Sequence, residues 1–229
     1  MAAPAEEPGP PDGGLRMSET DRIKAFSDGV FAIVITLLVL ELRVPDYHAG
    51  GLLEGLGHEG PSYLAFAVSF GYIGVIWLNH HALLRLIRGT TLALSWINLA
   101  ILFGAVIIPF PTAVLASAFT EGDTADRRVA VALYALAAAL MSAPWLAFFG
   151  YLHRHPALRA GDVSPEHVRA QRVRPVTGLL LYGLSGLLGW FVHPVVGLVL
   201  IIVMIVYHAI TSEGLRAGPL RFLSRRSRA

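Results

Sequence analysis

The chain has 229 residues, 55% of them hydrophobic and only 15% charged, with a formal net charge of +2 and no cysteine. Soluble domains average about 25% charged residues, so this composition, with a mean hydropathy of +0.60, excludes an ordinary water-soluble globule and points to an all-α, polytopic integral membrane protein. The absence of cysteine excludes disulfides and thiol-based metal or redox chemistry. Residues 1–17, rich in Pro, Gly and Ala, are expected to be disordered. They have neither a basic start nor an apolar core and do not read as a signal peptide. Ser18-Glu-Thr-Asp21 then fits a capping box that begins the first helix.

A helix needs about 20 apolar residues to cross roughly 30 Å of hydrocarbon. Six such stretches follow: Ala25–Leu42, Tyr63–Leu84, Leu92–Ser117, Val129–Leu152, Pro175–Phe191 and Pro194–Ile210. The first carries Asp28 near its start, and Thr36 is the only polar side chain between Asp28 and Glu41. An ionisable group in a membrane helix costs about 2.5–3.5 kcal/mol on insertion scales and marks a functional position. Asp28 is expected to be paired, with Arg22, His80 or His81, and Asn98 as candidate partners and Ser27 joining the network. His80 and His81 are neighbours, about 100° apart on a helix, and do not share one metal sphere. A titrating histidine here would make the protein pH-sensitive. Pro109, Pro111 and Pro144 fall inside expected helices, where neighbours satisfy the freed carbonyls. Gly178, Gly183, Gly186 and Gly189 give the fifth stretch small residues for close helix packing. His193-Pro194 turns the chain into the sixth. No partner is evident for His193 or His208. Trp77, Trp96, Trp145 and Trp190 read as packing or interface anchors.

The loops set the orientation. Fifteen of the 18 Lys and Arg residues fall on the side of the termini, and only Arg43, Arg127 and Arg128 on the other. By the positive-inside rule both termini are cytoplasmic. The opposite rim holds Glu41, Asp46, Glu54, Glu59, Glu121, Asp123 and Asp126, either a plain solvated edge or a field that gathers cations. The basic tail, residues 213–229, is an ordinary cytoplasmic flank or a contact for anionic lipid headgroups. Basic residues that follow the membrane rule do not form a nucleic-acid face.

On a helix, Ile33, Leu37 and Leu40 fall at i, i+4 and i+7 and share one stripe, with Thr36 at its border. By spacing alone this stripe is either a packing face or, in a symmetric assembly, a set of rings around an axis. The motif Arg22-x-x-x-Phe26-Ser27-Asp28, with Trp77-Leu-Asn79-His80-His81, Trp96-Ile-Asn98-Leu99 and Pro109-Phe110-Pro111, resembles the transmembrane protein 175 family of potassium channels, in particular its single-repeat prokaryotic members. The likeness runs over about residues 20–210. It implies one channel domain (18–212) of six helices, a homotetramer in the cell membrane, and a central pore lined by the first helix of each subunit. It implies Ile33 as a hydrophobic gate, with Leu37 and Leu40 above it, and Thr36 as a hydroxyl ring for selectivity. Arg22, Phe26, Ser27, Asp28, His80, His81, Trp96 and Asn98 would form a structural network. Potassium is the permeant ion, lipid the surround, no cofactor is required, and protons are a further permeant species. No Thr-Val-Gly-Tyr-Gly filter occurs, so a carbonyl-lined filter is not the expected mechanism.

Three rival readings stand beside this one. A secondary transporter or proton carrier would cycle protons on Asp28, although that residue is expected near the cytoplasmic edge and not at a midplane site. A membrane enzyme lacks any Gly-x-Ser-x-Gly, His-Glu-x-x-His or phosphate-binding loop. A non-conducting scaffold is the third.

Overall fold

The computed structural model describes residues 19–161 and 163–212, and every structural statement below is made of these. Ser18, the segment 1–17 expected to be disordered and the basic tail 213–229 lie outside them. Between its connecting loops the described chain is helical, and it has one isolated antiparallel bridge between Ile87 and Arg159. In order the helices are α1 (Glu19–Leu37), α2 (Leu52–His58), α3 (Gly60–Leu84), α4 (Leu92–Ile107), α5 (Pro109–Thr120), α6 (Thr124–Arg154), α7 (Pro165–Gln171), α8 (Val173–Phe191) and α9 (Pro194–Ile210). Four stretches are long and apolar enough to cross a membrane: Thr20–Glu41, Gly60–Leu84, Leu92–Thr120 and Thr124–Arg154. The fifth and sixth expected spans are present as α8 and α9. Neither reaches that measure: α9 is apolar but has 17 residues, and α8 interrupts its leucines with glycine and carries Arg174 in its first turn.

The third expected span is two helices. Pro109 and Pro111 have no N–H to give, so the ladder breaks at Ile108, whose own N–H closes a tight turn on Ala105 O at 3.2 Å. A buried hydroxyl chain braces the break. Thr112 Oγ1 donates to Ile108 O at 2.7 Å. Its proton being used there, Ser69 donates to Thr112 Oγ1 (2.7 Å) and Tyr134 to Ser69 Oγ (3.0 Å). Three helices, α3, α5 and α6, are thereby joined at the kink. Pro144, by contrast, stays within a continuous α6.

Between helices in lipid, close packing and hydrogen bonds replace the hydrophobic drive. Glycines supply the closeness where α8 and α9 meet. A methyl added at Gly197 would lie 2.7 Å from Gly189 Cα and 2.7 Å from Ser185 O, so only glycine fits. Gly183, in contrast, faces open space. His193 caps α9, its Nδ1 accepting from Val195 N at 3.3 Å.

The bundle has two chemically distinct ends. At one, Arg88 N donates to Leu158 O (3.1 Å) and Ala160 N to Leu86 O (2.9 Å). These bonds gather the basic connections 85–91 and 155–160 beside the start of α1, whose Ile23 packs on the Leu83–Phe148–Leu152 cluster. The other end carries the acidic connections, where Asp123 caps α6 by accepting from Ala125 N and Asp126 N.

Candidate functional site: the two faces of α1

Helix α1 buries one line of residues: Ser27, Phe31, Val34 and, in the turn that follows, Leu38. Steps of four, three and four keep them on one face, and that face meets α3 and α4. On the other side Ile33 is 61% exposed, Leu37 43% and Leu40 70%. Thr36 is exposed beside them. Within the chain the stripe Ile33–Leu37–Leu40 is therefore left largely bare. The chain changes winding at Leu38, where Leu38–Glu41 forms a 3-10 turn. With three residues per turn, positions i and i+3 eclipse, so Leu40 stands directly above Leu37.

The Thr36 hydroxyl turns its proton inward. It donates to its own helix, 2.8 Å from Ile33 O and 3.0 Å from Ala32 O. Its lone pairs are left on the outward side, the arrangement that suits a cation and not an anion.

The packed face carries a polar knot. Asn98 Nδ2 donates to Ser27 Oγ at 3.1 Å, and His80 Nε2 lies 2.7 Å from Asn98 Oδ1. Because that oxygen only accepts, Nε2 carries the proton and donates it. All three residues are buried, with exposures of 0% for Ser27, 4% for Asn98 and 1% for His80. The Phe31 ring lies 5.3 Å from the imidazole, and Trp145 of α6 meets it edge-on at 6.5 Å. Four helices converge on one histidine.

Asp28 is not in this knot. It is exposed, and its Oδ1 accepts from Trp77 Nε1 at 2.8 Å. The expected bonds to Arg22, His80, His81 or Asn98 are replaced by this indole. The reason is angular: Ser27 and Asp28 point about 100° apart, so only one of them faces inward. The same rule splits the histidine pair. His80 is buried, while His81 is half-buried against the Trp77 ring, with centroids 6.4 Å apart. Arg22 is exposed, and the ion pair at this end joins Lys24 to Asp21 at 3.6 Å. Phe26 and Trp96, 55% and 66% exposed, also stand outside the knot. With Val30, Leu99, Phe103 and Val106 they line an open apolar groove between α1 and α4.

Residues 22–109, which contain both faces of α1 and the whole knot, match the family model described as endosomal/lysosomal potassium channel TMEM175. A potassium channel of Streptomyces collinus is 41% identical over 170 residues, covering 74% of this chain and 82% of that protein. The chain belongs to the TMEM175 family. A solved TMEM175 homologue from Chamaesiphon minutus, described as a lysosomal potassium-selective channel, superposes with a TM-score of 0.73 at 35% identity. The match covers 85% of this chain and 98% of that one. The mouse TMEM175, named an endosomal/lysosomal proton channel, is 33% identical over 189 residues, but the match spans only 37% of its length. The relatives are thus named as ion channels, not as enzymes.

Two participants were missed from sequence. The sequence marks Trp77 only as an anchor, although an indole N–H one turn before His80 and His81 needs an acceptor. Trp145 gave no polar signal at all.

Proposed function

We propose that this chain is one subunit of a potassium-conducting channel, a homotetramer with α1 of each copy around a central water-filled path. The observation that carries the reading is the bare stripe Ile33–Leu37–Leu40 with Thr36 beside it, on a helix whose other face is fully used. In a symmetric assembly Ile33 forms a narrow apolar ring that blocks ions by dewetting. Thr36 supplies a ring of outward lone pairs that replace part of a cation's water shell. The groove at Phe26 and Trp96 is the surface on which a neighbouring subunit docks. The knot Ser27–Asn98–His80 and the Asp28–Trp77 bond fix the tilt of α1, and Arg22 and His81 flank them at the basic end. The domain runs over residues 18–212 with α8 and α9 as the fifth and sixth crossings, both termini cytoplasmic, in the cell membrane. Beyond the permeant cation and lipid, no cofactor enters the mechanism.

The test is reconstitution in planar bilayers under potassium and sodium gradients. Ile33→Asn wets the narrow ring and raises conductance several-fold. Thr36→Ala keeps conduction but lowers the preference for potassium. A protein that conducts as before in both variants removes the pore from α1. A second permeant species, the proton, is favoured by the mammalian relative's name. Reversal potentials under a pH gradient at symmetric potassium read it directly.

A further inference from the structure

At the end of the bundle where α3 and α6 stop and α4 begins, four arginines share a platform without a carboxylate. Arg85 and Arg88 follow α3, Arg154 closes α6, and Arg159 lies in the connection after it. The two connections are stitched side by side. Ile87 and Arg159 pair as the antiparallel bridge, and Arg88 Nε donates to Ala157 O at 2.6 Å. Arg85, Arg88 and Arg154 are exposed, and Arg159 is half-buried with its Nε occluded and unbonded. Among the described residues no ion pair holds any of the four, the pair near this end being Lys24–Asp21. Neither connection, 85–91 or 155–160, contains an acidic residue. The opposite end differs. There Arg127 donates to Ala118 O at 3.3 Å and lies over the Phe119 ring, among Glu121, Asp123 and Asp126. Like charges fixed on one backbone platform set up a field that draws anions.

The height of the platform narrows the choice of anion. Leu84 closes α3 and Leu92 opens α4, so the arginines stand where apolar helices leave the hydrocarbon for the headgroup layer. Leu92 is 77% exposed. Tyr151 bonds Thr91 through its hydroxyl at 3.1 Å and stacks on His155 at 4.0 Å, the half-wet setting of an interfacial aromatic. We propose that Arg85, Arg88, Arg154 and Arg159 seat the headgroup of an anionic phospholipid, and that the seated lipid steadies the root of α1. Guanidinium forks pair with phosphate oxygens. An acyl chain covers Leu92, which a soluble phosphate would leave bare. A zwitterionic headgroup brings a cation of its own to a site already positive and is disfavoured. The link to α1 is direct packing: Leu86, Ile87 and Leu158 of the platform belong to the cluster on which Ile23 of α1 rests.

The experiment takes the full-length protein from nanodiscs of equal phosphatidylglycerol and phosphatidylcholine and counts the retained lipids by native mass spectrometry. Each basic residue beside an anionic surface is worth about fivefold in affinity, so retention should favour phosphatidylglycerol by about fivefold or more. The preference should fade as salt rises. Arg85→Gln with Arg154→Gln, side chains that make no hydrogen bond among the described residues, should abolish most of it without shifting the melting temperature. Arg85→Lys with Arg154→Lys should restore it. Arg127→Gln, and glutamine at the tail positions Arg221, Arg225, Arg226 and Arg228, should leave it intact. Phosphatidylglycerol discs should also slow hydrogen exchange over residues 20–26 relative to phosphatidylcholine discs, in the wild type and not in the Arg85→Gln, Arg154→Gln variant. Equal retention of the two lipids overturns the seat. So does a loss as large in the tail or Arg127 variant as in the platform variant. Displacement of the lipid by millimolar inorganic phosphate makes the seat one for soluble anions and overturns the lipid. Selective retention with unchanged exchange over residues 20–26 overturns the link to α1. None of these readouts uses ion current or subunit number, so failure of the pore reading would be seen separately.

Discussion

The knot at Ser27–Asn98–His80 and the wall that Ser142–Tyr182–His208 forms among α6, α8 and α9 are built from similar parts and end in opposite states. Each sets a serine and a histidine from different helices at the same end of the bundle. In the knot every partner is met: Asn98 spans the gap, giving to Ser27 and taking from His80. In the wall nothing bridges, and a glycine stands between Ser142 and His208. The difference teaches what an amide does in a membrane helix bundle. Where one is present, the polar groups lock helices together; where it is absent, the same groups stay unbridged.

The largest expected effect comes from removing the bridge. Asn98→Leu strands two buried groups and should lower stability by about 1–3 kcal/mol, read as an earlier thermal melt by tryptophan fluorescence. A melt matching the wild type would show that the knot holds nothing. On the wall, Tyr182→Phe removes a hydroxyl that makes no good bond and should shift the melt by less than about 0.5 kcal/mol, upward if at all. A loss comparable to that of Asn98→Leu would erase the contrast between the two clusters. Asp28→Asn should be similarly mild, because an amide oxygen still accepts from Trp77 and exposed substitutions usually stay within about 0.5 kcal/mol. A loss of stability as large as that of Asn98→Leu would return Asp28 to the knot. The smallest effect is at the acidic end. The N–H groups of Asp126 and Ala125 hold the Asp123 carboxyl below its usual range. Since the folded value is the depressed one, the cap helps above the unfolded carboxylate pKa and is lost as pH falls through the folded value. Comparing acid melts of wild type and Asp123→Asn should show a shallower decline in the variant, and parallel curves would dismiss the cap.

Most of the helices are legible because apolar runs leave the backbone few alternatives in lipid. The break at Ile108 was half legible: the prolines announce a disturbance, but whether it bends or divides the helix depends on Ser69 and Tyr134, far off in sequence. Short α2 and α7 carry no apolar run and passed unseen. At the site, Ser27, His80 and Asn98 are conspicuous as polar residues near the ends of apolar helices. Which of two adjacent residues points inward is not conspicuous. Asp28 drew attention by its charge, yet Ser27 took the buried position, and only the phase of α1 against α3 and α4 decides that. The wall was the least readable feature. Ser142, Tyr182 and His208 are isolated polar residues on three helices, and nothing local links them.

The 3-10 winding at Leu38–Glu41 has a consequence for any path along the axis. Leu37 and Leu40 share one azimuth about 6 Å apart in height, so their collars would stack coaxially instead of staggering. An ion that sheds its hydration at the lower collar would find no wetter ledge before the upper one. Slipping one residue into this turn would rotate the two out of line and split the dry stretch, without altering a single side chain.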